Sequence, residues 1–350
     1  MERYIGIDVH TQSCTIAVVN QGGKELQTEV VETNGEVLVR YLKLIPGRKY
    51  LCLEAGNQSQ WLSEILSLYV HELVIIWPEK KTGNKNDRLD ALGLAERVRT
   101  GKLGRKIFKA PKEFTGLRQL VSCYNMITQD IVRTKNRIKS VYRSRGILAT
   151  GRKLEYAQPS QHLQRDSKQG VQLMCALLEQ QEACKEQIQK HMLKEAQKHK
   201  VTALLQTAPG IGEVRAAQLL SVVITPYRFR TTRQFWAYCG FGIVTHSSSD
   251  WVQQANGQWI KAPVVKLRGL NRNHSRQAKN LFKAAAITVT TQCKSDPLYA
   301  HYQRMLQNGI RPNLARLTIA RKIAAITLSM WKREEAYNPQ KFQRSKILTT

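Results

Sequence analysis

Tyr4-Ile5-Gly6-Ile7-Asp8-Val9 is an apolar run interrupted by a single acid, and the reading of the N-terminal third turns on it. Tyr4 to Val9 has the length and residue types of a buried strand. Cys14 to Asn20 and Glu25 to Val31 read as two more strands, with Gly22-Gly23 between them as a hairpin turn. A helix is expected from about Gly35 to Leu44, a strand over Tyr50 to Glu54, a helix over Gln60 to Val70, and a strand over Leu73 to Trp77 that Pro78 stops. Three strands followed by alternating helix and strand is the order of an α/β RNase H-like fold.

Asp8 directly continues a buried strand in a chain with only 26 acids, so it needs a partner, and a metal ion is the simplest one. Glu54 closes Leu51-Cys52-Leu53 in the same way. Asp87 and Asp90 are three residues apart where a helical pattern begins (Leu89, Leu92, Leu94, Ala95), so both project from one side. They are also ordinary acids for a first helical turn, favoured there by the helix dipole. Four converging carboxylates repel one another without cations, whereas Mg²⁺ prefers oxygen ligands of this kind. Two such ions roughly 4 Å apart can activate an attacking oxygen and stabilise a leaving one, which is phosphoryl-transfer chemistry. An actin-like or sugar-kinase ATPase also carries G-I-D on its first strand, but no D-x-G-G-G phosphate loop follows in this sequence.

Charge points to the substrate class. The 350 residues carry 55 Lys+Arg against 26 Asp+Glu, a formal charge of +29, with a pI near 10.1. Nucleic acid is the expected partner, since each neutralised phosphate releases condensed counterions. A membrane is not expected, because no basic amphipathic anchor or apolar spanning run appears. The seven cysteines are scattered without a C-x-x-C pair and read as reduced residues of a cytoplasmic protein, and the eight histidines show no zinc spacing. The N-terminus has no signal-peptide pattern.

The length predicts two domains and a connecting element, with boundaries at 1–110, 111–200 and 201–350. In the middle region Leu117, Leu120, Tyr124, Ile127, Ile131, Thr134, Ile138 and Val141 alternate spacings of 3 and 4, an a/d heptad seam. With a second helical stretch (Met174, Leu177, Cys184, Ile188) it predicts a long helical hairpin or a dimerising coiled coil. Arg133, Lys135, Arg137, Lys139, Arg143 and Arg145 form a basic run without intervening acids, fit for phosphate contact. The third region is mixed α+β. It opens with Pro209-Gly210-Ile211-Gly212 between two helical stretches, the hairpin of a helix-hairpin-helix motif, where Gly210 and Gly212 would let backbone approach a phosphate. Beyond it the pattern from Phe235 to Trp331 alternates strand-like pieces, an Asn256-Gly257 turn and two helices, with a basic cluster that includes Lys261, Lys266, Arg268, Arg272, Arg276 and Lys279. His246-Ser247-Ser248-Ser249-Asp250 offers hydroxyls that a metal or His246 could activate toward a phosphodiester.

Ile5-Gly6-Ile7-Asp8, Leu53-Glu54-Ala55, Asn86-Asp87-Arg88-Leu89-Asp90-Ala91, Pro209-Gly210-Ile211-Gly212, Phe235 to Gly240 and the serine cluster occur in that order. Together they resemble the DEDD transposases of bacterial insertion sequences, the one-ten family, related to Piv-type DNA invertases and described as bridge-RNA-guided recombinases. The resemblance implies a RuvC-like domain in which Asp8, Glu54, Asp87 and Asp90 hold Mg²⁺, and a C-terminal domain whose nucleophilic serine best matches Ser248, with Ser247 and Ser249 as alternatives. It implies strand cleavage and exchange of double-stranded donor and target DNA through a phosphoserine. It further implies a structured noncoding guide RNA and a homo-oligomer, dimer or tetramer, whose active sites are shared between subunits. The family's S-K-x-G-N-x-x-L-R segment is altered here to Arg268-Gly269-Leu270-Asn271-Arg272-Asn273-His274. The competing readings are a RuvC-like nuclease or junction resolvase in which water attacks, and a nucleic-acid scaffold in which the acids are structural.

Overall fold

A computed structural model describes residues 1–79, 86–147, 165–245, 251–262 and 267–340. The chain forms two compact units, Met1–Thr115 and Gly116–Thr350.

The first unit is a five-stranded sheet with helices. Its elements are β1 (Glu2–Val9), β2 (Ser13–Val19), β3 (Glu25–Glu32), α1 (Gly35–Leu44), β4 (Arg48–Glu54), α2 (Ser59–Leu66), β5 (Glu72–Ile76) and α3 (Asp87–Thr100). The strand order is β3-β2-β1-β4-β5. β1 pairs antiparallel with β2 and parallel with β4, so it lies at the centre, where the meander changes into parallel crossover pairing. Strand alternation sends side chains to two cores. Ile5, Ile7, Leu51 and Leu53 pack with Leu38 and Leu42 of α1 and Leu62 and Leu66 of α2. Cys52, Val74 and Ile76 meet Leu94 and Val98 of α3. Burial on both faces is why β4 and β5 read as unbroken apolar runs rather than alternating ones. This sheet with its helices is consistent with the expected RNase H-like domain.

In the second unit, α4 (Thr115–Arg143) and α5 (Arg165–Gln197) are long helices. Ile131, Ile138 and Tyr142 of α4 are buried with Val171 and Leu178 of α5, and Thr134 Oγ1 donates to Gln181 Oε1 at 3.0 Å. The heptad seam is thus covered within the chain along this stretch. The basic face expected to be free of acids is not: Arg133 pairs with Asp130 at 2.9 Å and Lys135 with Glu182 at 2.6 Å. Glu182 comes from the other helix, 47 residues on, which is why the run looked unpaired in sequence.

α6 (Val201–Gln206) and α7 (Glu213–Val223) flank the Pro-Gly-Ile-Gly turn. Gly210 has φ +70°, and a Cβ there would overlap the backbone of Ala285. Helix packing therefore accounts for the glycine without any nucleic acid. After α8 (Thr232–Tyr238) come the short strand pairs β6 (Ile243–Thr245) with β9 (Leu267–Leu270), and β7 (Trp251–Gln253) with β8 (Trp259–Lys261). Three helices follow, α9 (Arg276–Gln292), α10 (Pro297–Gln307) and α11 (Pro312–Arg333), where two were expected. The extra one, α10, is started by Asp296, whose carboxylate caps the Leu298 amide at 2.8 Å, and by Pro297 in the first turn. α11 is the central helix of this unit, with Ile319, Ile323, Ile326, Leu328 and Trp331 buried.

Candidate metal centre

Asp8 lies near the C-terminal end of the central strand, and Glu54 ends the neighbouring parallel strand, whose Leu53 pairs with Ile7. Two adjacent parallel strands thus deliver two carboxylates to one sheet edge. Asp87 arrives from α3, which crosses β1 so closely that a Cβ on Gly6 would overlap the Ala91 carbonyl oxygen, the Ala95 amide nitrogen and the Leu94 Cβ. Glycine at position 6 therefore sets the distance between strand and helix, and with it the approach of Asp87 to Asp8.

Local interactions hold the start of α3. Asn86 is the N-cap, its side chain accepting from the Arg88 and Leu89 amides at 3.1 and 3.3 Å. Arg88 reaches across to both carboxylate oxygens of Glu25 on β3 at 2.8 and 3.0 Å. The Thr28 hydroxyl, followed by Arg88, holds the Glu25 carboxyl below its usual range. Gly101, at φ +72°, ends the helix.

These elements bring together Asp8, His10 and Asp87, whose ligand atoms lie within 4.8 Å of one another. His10 Nε2 is 3.3 Å from Asp8 Oδ2 and 3.5 Å from Asp87 Oδ2. Side-chain exposure is 20% for Asp8, 50% for His10 and 57% for Asp87, so the group is open to a large substrate. Beside it is a cavity of about 460 Å³ whose wall includes Asp8, His10, Thr11, Glu54, Asn57 and Ser59. Lys109 donates to Ser59 Oγ at 2.6 Å, placing an ammonium group behind that wall.

Two carboxylates and an imidazole within ligand distance of each other suit a divalent cation, with Glu54 on the same wall as a further oxygen donor. Asp90 stands one helical turn after Asp87 and is not a member of the three-residue group. His10 was missing from the sequence-predicted ligands. The available signal was its position two residues after Asp8, just past the end of β1.

The other predicted residues are dispersed. Ser247, Ser248, Ser249 and Lys266 lie outside the described residues, as does the side chain of Arg268 in β9. Arg137 and Arg272 are exposed. Gly212 is the exposed N-cap position of α7, while the Gly210 carbonyl accepts from Arg215 at 2.7 Å.

A mixed five-stranded sheet with carboxylates meeting at the end of its central strand is consistent with the class of RNase H-like enzymes that act on nucleic acids. Within that class, residues 5–144 match the model of a DEDD IS110-type transposase, and residues 202–303 match that of the IS116/IS110/IS902 transposase family. Together the two matches cover more than half of the chain, which belongs to this transposase family. No individual curated protein matches it. The family's activity is the cleavage and recombination of DNA, its partner is DNA, and its acidic site takes a divalent metal. Among the described residues, no helix is long and apolar enough to cross a membrane.

Proposed function

We propose that this transposase is a Mg²⁺-dependent recombinase of a bacterial insertion sequence, working in the cytoplasm through a phosphoserine and guided by a noncoding RNA. The observation that carries the reading is the meeting of Asp8, on the central strand, with Asp87, on a helix held against that strand at Gly6. Asp8, Glu54, Asp87 and Asp90 hold the metal in this reading, and His10 joins them. The bound metal would polarise the scissile phosphate and lower the pKa of an attacking hydroxyl. The remaining steps belong to the protein. Ser248 Oγ attacks phosphorus and loses its proton, the phosphodiester breaks, and one strand end departs as a hydroxyl. Attack by the hydroxyl of a partner strand then restores the serine and joins the new strand. The phosphoserine conserves the phosphodiester's energy, which attack by water would discard.

The excess of 29 positive charges and the exposed Arg137 and Arg272 support RNA as well as DNA as a ligand. In this reading 1–110 binds metal, 111–200 serves assembly, and 201–350 presents the serine in a homo-oligomer. The test incubates the protein with its RNA, labelled donor and target DNA and Mg²⁺, and measures label bound to denatured protein. Asp8→Asn should abolish the adduct while retaining DNA binding, and Ser248→Ala should abolish it while retaining metal binding. Wild-type adduct from the Asp8 variant would refute the metal assignment. Adduct loss only in Ser247→Ala or Ser249→Ala would move the nucleophile to that neighbour.

A further inference from the structure

The β7–β8 hairpin presents apolar side chains to solvent. Trp251 pairs with Lys261, Val252 with Ile260 and Gln253 with Trp259. Cross-strand partners share a face, so Trp251, Gln253, Trp259 and Lys261 stand on one side of the ribbon. Trp251 is 61% exposed and Trp259 60%, large values for the largest aromatic side chain. Local bonds hold the ribbon together, since the Gln254 amide donates to the Gln258 carbonyl at 2.8 Å and the Gly257 amide to the Gln254 carbonyl at 2.9 Å. The tryptophans are therefore not needed to bury a core.

The charge of the surrounding sequence says what covers them. From Trp251 to Ser295 the chain carries eight Lys or Arg residues and not one Asp or Glu. A second copy of the hairpin would bring like charge against like charge. A polyanion with flat aromatic groups matches both features: phosphates answer the cations, and bases stack on indole rings. We propose that this hairpin is a stacking platform for unpaired bases of a DNA strand, the species that strand exchange must expose. The proposal rests on membership of a DNA-recombining family and is independent of the guide RNA and of the serine.

The test uses the full chain, with Trp251→Ala, Trp259→Ala and the conservative pair Trp251→Phe and Trp259→Phe. Fluorescence anisotropy measures binding of a mixed-sequence single-stranded DNA, its duplex, and an RNA of the same sequence. Each alanine is expected to weaken single-strand binding about tenfold, with duplex binding unchanged and phenylalanine largely restoring affinity. Near-ultraviolet crosslinking of iodouracil-substituted single strands should label peptide 251–261 in the wild type. Unchanged single-strand affinity would overturn the proposal, as would equal loss on duplex. Loss on RNA alone, or a lower sedimentation coefficient in the alanine variants, would also overturn it, by assigning the face to RNA or to a second copy.

Discussion

Replacing Gly6 with alanine puts a methyl group where α3 already has backbone. The Ala91 carbonyl oxygen and Ala95 amide nitrogen occupy that space, and neither can rotate away as a side chain would. The helix must lift from β1. Overpacking of this kind costs about 1–3 kcal/mol, and for a unit of this size about 4 °C of melting temperature accompanies each kcal/mol, so a fall of roughly 4–12 °C is expected. The first turn of α3 carries Asp87, so lifting the helix also opens the group formed with Asp8 and His10. Disturbing the support behind a ligand typically costs about tenfold in metal affinity. Gly93→Ala is the internal control: it lies on the same helix, a Cβ there meets nothing within 4 Å, and helix propensity predicts a gain of about 0.5–1 kcal/mol. Thermal melts and Mn²⁺ titration followed by electron paramagnetic resonance read both effects. Wild-type melting and Mn²⁺ affinity in Gly6→Ala would refute the argument that this glycine sets the site.

Two further outcomes are expected. Ile138, fully buried between α4 and α5, should cost about 2–4 kcal/mol when changed to alanine, measured by urea unfolding, and a loss below about 1 kcal/mol would show that the seam is not packed. His301 on α10 has its pKa lowered by burial and then by Lys322 and Arg304. The unfolded chain thus takes up this proton more readily, so stability should fall as pH drops through the ordinary value of 6.5 toward the folded one. His301→Gln should flatten that part of the pH profile, and an unchanged slope would exclude the histidine as its source.

β4 and β5 were legible because burial on both faces leaves unbroken apolar runs, and Asp8 was legible because it directly continues the apolar run of β1. The reason for Gly6 was not, since it depends on a helix more than eighty residues away in sequence. His10 was overlooked because histidine ligands were sought at zinc spacings rather than just past the end of the strand that carries Asp8. Gly210 shows the opposite difficulty: a glycine read as making room for phosphate is explained by the backbone of Ala285. The pairing of Lys135 with Glu182 depends on two helices meeting, which no local charge pattern displays. Asp296-Pro297, by contrast, is a helix start written plainly in sequence, and α10 could have been recognised from it.

The acids of the candidate centre arrive at very different times during synthesis. Asp8 is made on β1, whereas Asp87 and the helix that carries it follow only after four more strands and two helices have been made. A nascent chain can therefore assemble its sheet, with Asp8 and Glu54, while the carboxylate from α3 is still absent. Any fragment released before residue 87 is translated carries the fold's central strand without the acids of α3. Premature termination before Asp87 thus yields products in which the Asp8–His10–Asp87 group cannot form.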